Sequence, residues 1–414
     1  MERQKAHINA SERLFAELCG QLYLKGFVFH SPKFKDPTEQ EAGDVVLWIR
    51  TELIVFEILS RNPSASGSTK SFIKQIGRKR EQLIRDFRIY SDPSKNIRML
   101  NEIGETISYD HDCFNKSNFC GVVIVDADTS LEKLHFETVR KSLEQEFPIA
   151  IMIKQDFDDL LGEIDTIPDL LFYLKDRKSF LSRVFPSEPQ YFLNLSTHTE
   201  QNLIGFYKLN DNSFPVEEWK SSTSKEYWLK YQKDFAARIE ARDKDNVDSF
   251  IFDEIIDLLR NTNSPNDSTL LHSWELAVLP RRFRAGLAQK LKKSFEDMIA
   301  QRSKRHFAFY NPLTGCWSLF YFQYGGDSKS FMEEAERLSK MKMQVERVQQ
   351  NFQYSVFCFA FRKSFIFTGN TFDECVLRIE DADNHPSVSP EDYQIALKYF
   401  RGNTGRQKIY EFPS

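Results

Sequence analysis

The chain has 414 residues, with 56 Lys and Arg against 60 Asp and Glu and a formal net charge of −4. That length suffices for two or three domains, each with its own core, and the near-neutral balance requires any polyanion-binding surface to be a local patch. Six scattered cysteines, with no CxxC pair and no Cys/His cluster at ligand spacing, argue against a zinc site and for a reducing compartment. The start Met1-Glu2-Arg3-Gln4-Lys5 lacks the apolar stretch of a signal peptide, and no run approaches the ~20 apolar residues that cross a bilayer. A soluble, cytoplasmic protein with no membrane partner is the expectation.

From about Asn9 to Lys25, the residues Leu14, Phe15, Leu18, Leu22 and Tyr23 recur at helical spacing, and Gly26 ends that helix. Phe27-Val28-Phe29 reads as a short strand and Ser31 to Ala42 as a turn-rich loop. Two apolar strands follow, Asp44–Ile49 and Leu53–Leu59, joined by the polar turn Arg50-Thr51-Glu52. After a loop at Asn62–Ser68, a strongly charged helix runs from about Thr69 to Ile89. Phe119–Val125 and Ile149–Ile153 read as buried strands, separated by a helical pattern near Leu134–Phe147. Residues 1–155 are thus expected to form an α/β sandwich with a mixed sheet.

Residues 156–265 read as a mostly helical middle region, with helices at Phe157–Ile164, Asp169–Arg183, Tyr227–Arg242 and Asp248–Arg260 and a short strand at Leu203–Tyr207. The Asn-, Ser- and Pro-rich loop Asn261–Ser268 marks the boundary to a second, smaller α/β domain over 266–414. There a helix at Pro280–Arg302 precedes strands His306–Tyr310 and Cys316–Tyr324. A helix at Ser328–Gln350 then leads to strands at Ser355–Phe361 and Glu374–Ile379. Alternation puts Trp317, Leu319, Tyr321 and Gln323 on one face of a strand between two layers.

The chemistry concentrates in the hairpin at 44–59. Centred near Arg50 and Thr51, it sets Asp44 opposite Glu57, and opposed residues have Cβ atoms roughly 4.5–5.5 Å apart. Two carboxylates that close repel unless a cation joins them, and a hard divalent ion with oxygen ligands is the usual solution. Mg²⁺ held by Asp44 and Glu57 would suit phosphodiester cleavage. The plainer reading is that Asp44 only opens a strand and Glu57 pairs with a lysine of the next helix. On that helix Lys70, Lys74, Arg78, Gln82 and Arg85 form one stripe, either a solvated face or a phosphate-contacting one. Asp126 and Asp128 read as strand-end turn residues, and His111 and Asp112 as surface. Arg281, Arg282 and Arg284 with Lys290, Lys292 and Lys293 make a second basic helix, either solvated or facing a partner. No P-loop, GxGxxG or GxSxG motif is present.

The acidic hairpin, in its αβββαβ order over about residues 9–155, resembles the PD-(D/E)XK superfamily of restriction-endonuclease-like nucleases. Asp44, preceded by Gly43, matches the acid that opens the second strand, Glu57 the acid of the second motif, and Gln82 the glutamine of the following helix. The resemblance implies a metal-dependent DNA endonuclease using Mg²⁺ or Mn²⁺, with bacterial anti-phage defence as its setting. The departure lies at residue 59, where the motif has lysine and this chain has Leu59, a side chain without proton chemistry. Some members carry the lysine on the next helix, which points to Lys74 as the substitute, with Lys70, Arg78 and Arg85 as nucleic-acid contacts. The alternatives are an inactive nuclease-like domain that binds nucleic acid or protein within a defence complex, and an α/β interaction protein whose likeness is accidental. A protein partner or a second copy would then meet the C-terminal domain.

Overall fold

The first sheet of the computed structural model opens with β1 (Val28–Asp36), β2 (Thr38–Glu41), β3 (Val45–Ile49) and β4 (Glu52–Ser60). The structure describes residues 25–60, 69–126, 147–184, 249–259, 267–350, 355–363 and 374–381, short gaps aside, with isolated positions such as Phe15, Ala16, Cys19 and Ile204. The expected helix at 9–25 is seen only at those first three positions. The helical pattern near 134–147 and most of 227–242 lie outside the described residues, as does the strand expected at 203–207, where Ile204 alone is described, buried and helical.

β3 and β4 are buried along almost their whole length, as their unbroken apolar runs require of strands covered on both faces. They pair antiparallel with Val45↔Phe56 and Val46↔Val55, the register read from the hairpin. β1 pairs antiparallel with β3 on the other side. Helix α1 (Thr69–Tyr90) then crosses the sheet, the connection a following parallel strand needs. A hairpin, β5 (Arg98–Asn101) and β6 (Thr106–Ser108), pairs through β5 with β1. β7 (Phe119–Asp126) runs parallel to β4, and β8 (Ile149–Ile153) parallel to β7. The order is β6-β5-β1-β3-β4-β7-β8, with β2 on β1: an eight-stranded mixed sheet.

Two parts of this sheet depart from expectation. The stretch 31–42 is the far half of β1 and all of β2, a hairpin with Asp36↔Thr38 at its tip. Its prolines fit because Pro32 falls at an irregularity between His30 and Lys33 and Pro37 at the turn, positions that need no ladder N–H. The β5–β6 hairpin carried no apolar run, since β5 alternates exposed and buried residues over four positions.

The two faces of the sheet are covered differently. Phe56 packs with Phe15 and with Phe157 of α2 (Lys154–Leu161), ring centroids 5.1 and 5.5 Å away. The neighbouring residues Val55 and Glu57 point the opposite way, toward α1. Gly121, paired with Val55, gives α1 its seat: a Cβ there would come within 3.0 Å of Leu83 Cδ1. Helix α3 (Ile167–Val184) also packs on this sheet, against β3, β4, β7 and β8.

The chain divides into two compact units, 1–240 and 241–414. The helices α2 and α3 fall in the first, and the Asn-rich stretch 261–268 falls within the second. In the second unit, helical residues 249–257, α4 (Asp267–Ala277) and α5 (Arg281–Gln301) precede a four-stranded sheet. Its order is β12 (Glu374–Asp381), β11 (Ser355–Lys363), β10 (Trp317–Tyr324), β9 (Lys304–Tyr310), with β10 and β11 parallel across α6 (Ser328–Gln350). Trp317, Leu319 and Tyr321 face Phe331, Leu338 and Met341 of α6. Phe320 and Phe322 face the other way and meet Phe307, Phe359, Phe361 and Phe252, the two-sided strand that alternation predicts.

One glycine fixes the start of β3. Gly43 has φ +98°, and a Cβ there would lie 2.6 Å from Val55 Cγ1. Gly43→Ala is therefore expected to lower stability by about 1–3 kcal/mol, read as a lower urea midpoint with an unchanged m-value.

Candidate metal site

Asp44 sits one residue before β3, where its N–H donates to Phe56 O at 2.9 Å and holds it in register beside Glu57. Its Oδ2 accepts from the Ile58 N–H at 2.6 Å. Glu57 is 2% exposed, in the middle of β4. The cation that joins the two acids is Lys79, in the third turn of α1: its Nζ donates to Asp44 Oδ2 at 2.9 Å and to Glu57 Oε2 at 2.7 Å. At 19% exposure the Lys79 side chain remains open to solvent at one edge.

This corrects the choice of lysine. Lys74 is exposed on α1 and stands five residues from Lys79, about 140° away around the helix axis. Arg78 is exposed as well, and Lys70 lies in α1 with its side chain outside the described residues. Gln82 is half-buried, one turn beyond Lys79. Arg85, expected to contact nucleic acid, instead binds the protein: its Nε and Nη2 donate to Asp86 Oδ1 at 3.2 and 2.9 Å, and Nη2 also donates to Glu41 O at 2.9 Å. The sequence carried the signal that finds Lys79. The apolar phase of α1 is Ile76, Leu83, Phe87 and Tyr90, all buried, and the charged residues interrupting that stripe are Lys79, Arg80 and Asp86. The stripe 70–74–78–82–85 is the phase pointing away.

Asp86 is the residue the sequence reading passed over. It is fully buried, hydrogen-bonds with the Glu57 carboxyl, and has Oδ2 without an N–H or O–H donor. Burial, foremost, and the nearby Asp44 charge push the Glu57 carboxyl up to about 9, so it holds a proton at neutral pH. Burial likewise raises Asp86 to about 6, against the opposing pull of Arg85. Burial alone would lower Lys79, but the charges and hydrogen bonds of Glu57 and Asp44 outweigh it and keep the ammonium cationic.

α1 also grips the segment carrying Asp44. Besides the Arg85 bond to Glu41 O, Tyr90 Oη donates to Ala42 O at 2.9 Å. His111, expected to be a bare surface residue, braces the end of α1: its ring nitrogens lie 3.0 Å from Tyr90 O and 2.5 Å from Lys95 O. Asp126 ends β7 opposite Ser60, and Asp128 lies outside the described residues. In the second unit Arg281 and Arg284 are buried in ion pairs with Asp253, whereas Lys290, Lys292 and Lys293 are exposed.

Among the described residues no group of three or more His, Cys, Asp or Glu is arranged to hold an ion, and no helix is long and apolar enough to cross a membrane. Asp44 and Glu57 are the pair with the chemistry for one: two hard oxygen donors, already converging on a single cation. Compared with family models, curated proteins and solved structures, the chain matches none.

The raised carboxyls make a pH prediction. The native state holds these protons more tightly than the unfolded chain, so their contribution is complete below the ordinary carboxylate range. It is lost as pH rises through about 6 for Asp86 and about 9 for Glu57. Thermal melts in EDTA should show stability falling toward alkaline pH, and Glu57→Gln should flatten the upper part of that fall. A variant that tracks the wild type across the whole range would show that Glu57 does not hold the proton.

Proposed function

We propose that this chain is a metal-dependent phosphodiesterase acting on DNA, with a restriction-endonuclease-like first unit. The observation that carries the reading is the meeting of Lys79 with both Asp44 and Glu57. It supplies, from α1, the lysine that Leu59 does not. A sheet in which three antiparallel strands lead through a helix to a parallel fourth supports the same reading.

Asp44 and Glu57 would hold one Mg²⁺ or Mn²⁺. Mg²⁺ in particular is commonly bound through one or two carboxylates, with water and substrate oxygens completing its shell. When bound, such an ion polarises a phosphoryl oxygen and lowers the pKa of water. Lys79, cationic and open at one edge, would donate to a non-bridging phosphoryl oxygen and stabilise charge as it develops. Gln82, one turn along the helix, would orient water or phosphate through its amide. Arg78 and Lys74, on the exposed flank of α1, would contact the backbone without reading bases. Bacterial defence against foreign DNA is the setting this resemblance suggests.

A second reading rests on the same ion pair. Lys79 already neutralises the pair without a metal, which is what an inactive, nuclease-like binding module would retain. Incubation of plasmid and linear DNA with Mg²⁺ or Mn²⁺ separates the two. Wild type should cleave, and Asp44→Ala, Glu57→Ala and Lys79→Met should each lose about 10²-fold or more, whereas Lys74→Met should not. Leu59→Lys introduced into Lys79→Met should restore part of the activity, because residue 59 lies two positions from Glu57 on the same face of β4. Absence of cleavage by wild type with either metal would favour the binding module.

A further inference from the structure

The site contains one acid that the reading above does not use. Asp86 is wholly buried on α1, two turns beyond Lys79, against Glu57. Arg85 holds its Oδ1, while Oδ2 has no donor and faces another carboxyl. A structural acid in that place would be expected to have both oxygens satisfied, since an unmet buried acceptor is costly. Nor does Asp86 link α1 to the Asp44 segment: Arg85 reaches Glu41 O and Tyr90 reaches Ala42 O without it. The cluster therefore holds three acids, Asp44, Glu57 and Asp86, against two bases, Lys79 and Arg85. One negative charge is left over when all are ionised.

We propose that Asp86 is a positioning residue of the cation site: it adds the third negative charge that draws a divalent ion of the Mg²⁺ or Mn²⁺ class, and it fixes the Glu57 carboxyl against which it packs. This rests on the proposed metal-binding role of Asp44 and Glu57. Asp86 need not ligate the ion. Its field acts over a few ångströms of buried, poorly screened space, where removal of one charge changes cation affinity strongly. The same charge works against the protein when no ion is bound, because three acids crowd one buried site.

The two effects have opposite signs, and that separates this role from a merely structural one. Asp86→Asn is nearly isosteric. It should weaken Mn²⁺ binding, followed by loss of the free-ion EPR signal, by about tenfold or more. The same variant should melt about 3 °C or more above wild type in EDTA. Arg85→Gln removes a base and should bind Mn²⁺ at least as tightly as wild type while melting lower in EDTA. It provides the reading if Asp86→Asn fails to fold. Unchanged Mn²⁺ affinity in Asp86→Asn, or weakened affinity in Arg85→Gln, would overturn the role of Asp86 while leaving the metal site intact. A wild type that binds no Mn²⁺ would overturn the metal site itself, and Asp86's role with it.

Discussion

Two carboxylates on adjacent strands, deep in an apolar sheet, set the conditions for everything around them. Asp44 and Glu57 are placed by strand register, which the sheet cannot relax without turning the whole hydrophobic set of β3 or β4 to the wrong face. Their repulsion must be met by a cation from outside the sheet, and Lys79 meets it with two short hydrogen bonds. The surrounding features serve that meeting. Gly43 lets the chain turn so that Asp44 comes beside Glu57. Gly121 lets Leu83 settle and so sets the height of α1 above the sheet.

The register of the acids was legible in the sequence because alternation and a two-residue turn leave little freedom to a hairpin. The lysine was not, and the reason is specific. Basic residues at 70, 74, 78 and 85 form the more conspicuous stripe, but charge density marks the side of a helix that faces water. The side facing the sheet is marked by Ile76, Leu83, Phe87 and Tyr90. Lys79 is legible only as a charged residue out of place in that apolar phase, and Asp86 is legible in the same way. The β1–β2 hairpin escaped because its residues are polar and its two prolines look like loop signals, although an edge strand tolerates both. His111 escaped because its partners are backbone carbonyls of distant residues, which leave no trace in side-chain spacing.

The second unit makes the same point about charge. Its conspicuous arginines at 281 and 284 are buried on Asp253, and Arg284 also donates to Leu279 O and Ala277 O, carbonyls at the end of α4 and just beyond it. Lys342, on a strongly charged helix, lies 3.3 Å from the centroid of the Trp317 ring and pairs with buried Glu346. In both places a sequence rich in Lys and Arg describes internal pairing rather than a polyanion surface. The near-neutral net charge agrees with this, since most of these cations have an acid assigned to them.

Moving a lysine from a strand to a helix changes what the site depends on. A lysine at residue 59 would be held by the same strand as Glu57, two residues along, and would keep its distance to the acid whatever the helix did. Lys79 keeps that distance only while α1 keeps its position. Arg85 bound to Glu41 O and Tyr90 bound to Ala42 O join the helix to the segment that carries Asp44, so helix and acid shift as one body. The acid left to follow separately is Glu57, on β4, and Asp86 packs against it from the helix side. The second half of α1 thus substitutes for what a single strand position supplies in the motif, at the cost of burying a further charge.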